Sequence, residues 1–159
     1  MNPVVRTNWL LTALAVILIL LVSRQSSREQ GDYQSITPLA ASDIGTIGIQ
    51  HQTTPYARLQ RNAGTWVWMP DGGEVADKEW VARLAHIAEL PSLRHFPAAT
   101  KELAEFGLNP PRYRLTLNHQ VIDFGSVDPS SGLRYVLIGD VIHLVSDGYT
   151  HHLSHSLEH

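Results

Sequence analysis

The chain has 159 residues, a length that allows one domain and an appendage. Hydrophobic residues make up 43% and charged residues 17%, with much of the apolar excess near the N-terminus. From residue 34 onward, 9 Lys and Arg face 13 Asp and Glu, a net charge of −4. That balance argues against nucleic-acid binding, which rests on clustered cations, and against charge-driven adhesion to anionic lipid. The absence of cysteine excludes disulfides, thiolate zinc sites, iron–sulfur ligation and a cysteine nucleophile.

Residues 9–22 read WLLTALAVILILLV, without a charge and with Thr12 as the one weakly polar side chain. A helix of that length spans about 21 Å, short of the roughly 30 Å hydrocarbon core. Asn8 and Ser23 extend it, Trp9 suits the interface and Arg24 can snorkel. A cleaved signal peptide also fits the length and Arg6, but Arg24 stands where cleavage wants small residues. The favoured reading is an uncleaved anchor. Residues 1–8 are then a short cytoplasmic tail and 9–23 a single-pass span in a bacterial inner membrane. The C-terminal domain lies in the periplasm. Residues 24–40, rich in Ser, Gln and Arg, read as a flexible linker.

A soluble α+β domain is expected over residues 41–146. Isoleucines at 44, 47 and 49 mark a strand over 44–51. Runs 56–62 and 65–69 flank Ala63-Gly64, a hairpin signal, with Trp66 and Trp68 on one face of the second run. Asp77 is placed to cap a helix to about Leu90, in which Trp80, Val81, Leu84, Ile87 and Ala88 recur at helical spacing. A second, short helix is expected over 98–106, capped by Thr100 and closed by Gly107. Strands follow at 113–117 and 121–124, turning at Asn118-His119. Runs 134–138 and 141–145 then flank Gly139-Asp140. Being almost wholly apolar, these last runs should have both faces covered. The sum is an antiparallel sheet of hairpins packed against one long and one short helix.

Several of these elements recur in a set order. A tryptophan-bearing strand, Pro70, and Ala76-Asp77 opening a helix with Leu84 and Leu90 form one half. Phe106-Gly107-Leu108-Asn109-Pro110, the strand 113–117, Phe124-Gly125 and Tyr135-Val136 form the other. Over residues 44–146 this resembles the uncharacterised family catalogued as domain of unknown function 4340. The resemblance implies an N-terminal anchor. It also implies an association, seen for some members, with auxiliary components of gliding-motility-type ABC transport systems. Longer members carry more than one such unit, and this chain has room for one. The family brings no catalytic residues. The matched positions imply structural roles: Gly107 as a left-handed cap, Pro110 as a helix stop, Phe124 and Tyr135 in core packing.

Residues outside that pattern offer little chemistry. The His-rich tail, 147–159, would line up His151, His155 and His159 on one helical face, where imidazoles at i and i+4 can share zinc or copper. The plainer reading is a frayed polar tail. His143 reads as a half-exposed sheet residue rather than a further ligand. Glu102 and Glu105 read as solvated charge, and Asp71-Gly72-Gly73 as a turn lacking the lysine of a nucleotide loop. Ser126, Ser130 and Ser131 lack a nucleophile-elbow pattern, and Asp123 and Asp128 lack calcium spacing. Trp66 and Trp68 anchor a core or, if exposed, stack on a sugar or peptide. No catalytic, cofactor or metal residue is assigned. The expectation is a non-enzymatic, membrane-tethered periplasmic protein that binds another membrane or envelope protein as an accessory module. A metal-binding envelope protein using the tail histidines is the alternative.

Overall fold

The computed structural model describes residues 34–52, 56–70 and 74–154. The expected tail 1–8, the span 9–23 and the first part of the linker lie outside them. Among the described residues no helix is long and apolar enough to cross a membrane.

The architecture is α+β, built on one antiparallel sheet. Its strands are β1 (Thr46–His51), β2 (Ala57–Asn62), β3 (Thr65–Met69), β4 (Arg94–Pro97), β5 (Tyr113–Leu117), β6 (Gln120–Val127), β7 (Leu133–Ile138) and β8 (Val141–Ser146). Their order is β3-β2-β1-β5-β6-β7-β8-β4. The turns follow the residues expected to make them. Ala63 and Gly64 both adopt positive φ between β2 and β3, Asn118 does so between β5 and β6, and Gly139 between β7 and β8. Asn118 is fastened from its side chain. Its Oδ1 accepts from the Gly45 and Thr46 N–H groups, and its Nδ2 donates to the Asp43 carbonyl.

Helix α1 (Lys78–His86) starts where Asp77 accepts the Trp80 N–H at 2.6 Å, a cap worth ~1 kcal/mol. A 3-10 turn, Ile87–Glu89, continues it to Leu90. Trp80, Val81, Leu84, Ala85, Ile87 and Ala88 face the sheet. They pack on Ile47, Ile49, Leu59, Leu115, Leu117, Ile122, Phe124 and Val136. Each large side chain buried in this way contributes about 1.5–3 kcal/mol.

The opposite face is covered only at its far end. There Tyr135, Leu144 and Arg94 share one row and Leu137, Ile142 and Phe96 another. Phe106 lies over them, its ring 5.9 Å from Phe96 and 4.8 Å from Tyr135. The apolar runs of β7 and β8 are thus covered on both sides. On the rest of this face Arg58, Gln50 and Arg114 meet solvent.

The expected second helix over 98–106 contracts to a 3-10 turn, Leu103–Phe106, and Thr100 caps nothing; Glu102 precedes it without a side-chain cap. Gly107 does adopt the left-handed conformation, φ 64°. Arg94–Pro97, which lie between the two expected helices and were assigned to neither, form the edge strand β4.

Two boundaries also move. Residues 34–40, read as linker, are part of the domain. The Ile36 N–H donates to Leu90, the Ser92 N–H to Gln34, and the Thr37 hydroxyl to Ala88. Ile36 and Thr37 are buried. Residues 147–154, read as frayed tail, form a 3-10 turn and helix α2 (Thr150–Ser154), with Leu153 fully buried.

Two glycines separate a rigid close approach from a soft one. A Cβ on Gly125 would meet the Phe106 carbonyl oxygen at 2.2 Å, whereas one on Gly48 would meet the tip of Tyr56, a side chain 53% exposed. Gly125→Ala is expected to lose about 1–3 kcal/mol and Gly48→Ala under about 1 kcal/mol, since Tyr56 can swing into solvent. Urea unfolding of both variants measures the contrast.

Candidate functional site

An aromatic concavity lies where β3, the start of α1 and helix α2 meet. Trp68 and Trp80 stack there, centroids 5.6 Å apart and 27° between planes. Trp80 is buried, and its Nε1 donates to the His152 carbonyl at 2.9 Å. That bond and the buried Leu153 hold α2 in place. The resulting cleft of about 510 Å³ also takes Val75, Asp77, Glu79 and Arg83 as walls. Its floor is aromatic and its rim is mainly acidic, with Glu74 beside it. Asp77 is occupied by the cap, and Glu79 stands 3.8 Å from Arg83. A flat aromatic surface under carboxylates suits a cationic or aromatic side chain.

Trp66 and Trp68 lie on the helix-covered face, as their alternation requires, and both are half-buried against the core. Trp66 is flanked by the Arg61 guanidinium, 5.8 Å from its ring. Of the two, Trp68 opens onto the cleft. Trp80, its partner, was legible only as a core position of α1.

The other polar residues singled out in the sequence are spent on structure. Asp123 is buried and receives Arg114 through two bonds, 2.6 and 2.8 Å. Asp128 accepts from the Ser130 and Ser131 hydroxyls, which hold its carboxyl below the usual range. Ser126 packs at Gly107. Glu102 and Glu105 are exposed. Asp71-Gly72-Gly73, His155 and His159 lie outside the described residues, and the set His151, His155 and His159 is therefore not assembled here. His151 lines the aromatic cleft.

Buried charge also sits outside the cleft. β6 carries a bulge between Phe124 and Val127, and Arg134, opposite it, is buried. The guanidinium donates to the Gly125 carbonyl and to Asp147. Arg134 holds the Asp147 carboxyl below its ordinary value. His143 on β8 is half-buried, and burial followed by the charge of His95 pushes its pKa below the ordinary 6.5.

These shifts set a pH dependence. The native fold resists a proton that an unfolded His143 accepts, so stability is expected to fall as pH drops from about 6.5 toward the lowered native value and then to level off. Asp147 acts in a lower window. Its contribution is present above about 3.8 and is lost as pH falls through its lowered native value. Unfolding free energy measured against pH, with His143→Gln removing the upper phase alone, checks both.

Compared with known protein families, with characterised proteins and with solved structures, the chain finds no match.

Proposed function

We propose that this chain is a non-enzymatic binding module, tethered by residues 9–23 to a bacterial inner membrane and working in the periplasm as an accessory component of a membrane complex. The observation that carries the reading is the Trp68–Trp80 cleft: a preformed aromatic floor with an acidic rim. It fits a basic or aromatic side chain of a partner protein better than it fits a reacting substrate. Both sheet edges are protected, which favours this surface over strand addition. Residues 74–76 cover β3 through the bonds Trp68 N–H to Glu74 and Ala76 N–H to Trp66. β4 is short and ends in Pro97, which has no N–H to offer. The apolar run at residues 9–22 supports the tether. The link to ABC transport rests on the resemblance to the domain of unknown function 4340 family.

The test uses a photo-crosslinking residue at Val75, which is 65% exposed on the cleft rim, in intact membranes. A discrete adduct with a membrane or envelope protein is expected. Trp68→Ala should reduce it about thirtyfold, the effect of losing a 2 kcal/mol anchor. The same probe at Val121, exposed on the other face, should give none. No adduct from Val75, or equal capture from both positions, overturns the reading.

A further inference from the structure

A second groove, of about 960 Å³, lies at the opposite end of the helix-covered face. One wall is the 34–40 segment, and β4 and β8 form the floor. In their pairing His95 stands directly opposite His143, so both imidazoles project from one face of adjacent strands. Their ring centroids are 6.0 Å apart. A metal ion bound at about 2.0–2.1 Å to one nitrogen of each ring keeps the centroids within ~6.4 Å, so the pair is spaced to share one ion with a small rotation of the exposed His95.

The hydrogen bonding around His143 points the same way. The buried Ser92 hydroxyl donates its one proton to the Arg94 carbonyl at 3.2 Å. With the hydroxyl proton so placed, we assign the 2.9 Å contact between Ser92 Oγ and His143 Nδ1 as a bond from Nδ1–H to Oγ, a direction set by the imidazole tautomer. That leaves the His143 lone pair on Nε2. A metal-ligating histidine is commonly oriented by such a bond from its other ring nitrogen. Glu89, another residue of the groove, is held by the Ala41 N–H and His86, and adds negative field without being needed as a ligand.

We propose that His95 and His143 form a two-imidazole site for a divalent transition-metal ion, with Ser92 as the residue that positions His143. Imidazole donors with no thiolate and no carboxylate cage suit copper, nickel and zinc rather than magnesium or calcium, with copper held most tightly. The open groove leaves the remaining coordination positions to water or to a ligand atom from outside. The site is independent of the aromatic cleft and of the tail histidines.

The test titrates Cu2+ into the full chain in detergent, in a background carrying His151→Ala, His155→Ala and His159→Ala. Electron paramagnetic resonance reads the number of nitrogen ligands, and NMR reads which imidazoles broaden. One ion with two nitrogen ligands is expected, with His95 and His143 broadening first. His95→Ala should weaken binding at least tenfold. Ser92→Ala should weaken it about tenfold or more and change the 15N signature of His143 from the Nδ1–H tautomer. His95 is exposed, so its variant remains informative should His143→Gln fail to fold. Unchanged affinity in His95→Ala, or loss of all tight binding in the tail-substituted background, overturns the proposal.

Discussion

Arg134→Ala is expected to destabilise the domain by about 2–3 kcal/mol, most of it the roughly 1–3 kcal/mol of leaving a buried acceptor without a donor, since Asp147, 35% exposed, keeps water as a partner. The effect comes from what is left behind. The bulge in β6 leaves the Gly125 carbonyl to the Arg134 guanidinium, and alanine would orphan a buried acceptor. Asp147 would lose that partner as well, and with it the tie from β7 to residues 147–154. Arg134→Lys should recover only part of the loss, because an ammonium cannot span both acceptors with the planar fork of arginine. Equilibrium urea unfolding followed by tryptophan fluorescence gives the free energies. Limited proteolysis should show faster cleavage within 147–154 in the alanine variant. A loss under about 1 kcal/mol would mean the network is incidental.

Ile36→Ala and Leu153→Ala are each expected to lose about 2–5 kcal/mol, the range for truncating a fully packed aliphatic side chain. Ile36 is 5% exposed and Leu153 0%, and both belong to the main core. Were residues 34–40 a spacer and 147–154 a frayed end, either change would be silent. The same unfolding experiment decides between these outcomes. Leu153→Ala should also loosen the roof of the aromatic cleft, since α2 is held there by that side chain and by the Trp80 bond to the His152 carbonyl. It is therefore expected to lower capture from Val75 alongside stability, whereas Ile36→Ala, beside Leu90 beyond the far end of α1, should lower stability alone.

What the amino-acid order determined by itself was local. The hairpin at Ala63-Gly64, the turn at Asn118, the cap at Asp77 and the left-handed Gly107 each depend on a few neighbouring residues whose backbone preferences are strong. The helical stripe from Trp80 to Ala88 was legible for the same reason, since its period lies within one element. Tertiary structure decided everything that needs partners distant in the chain. Arg94–Pro97 became a strand because β8 offered an edge. Residues 98–106, read as a helix, kept only one 3-10 turn, at Leu103–Phe106, which lays Phe106 over Phe96 and Tyr135. Ile36 and Leu153 lie in stretches whose polar composition outweighs a single apolar side chain, and only the surfaces of α1 and the sheet show where each is buried. The candidate sites follow the same rule. Trp68 was visible as a candidate, but Trp80 is its stacking partner only across the fold. His95 and His143 are 48 positions apart in sequence, and strand register alone sets them face to face.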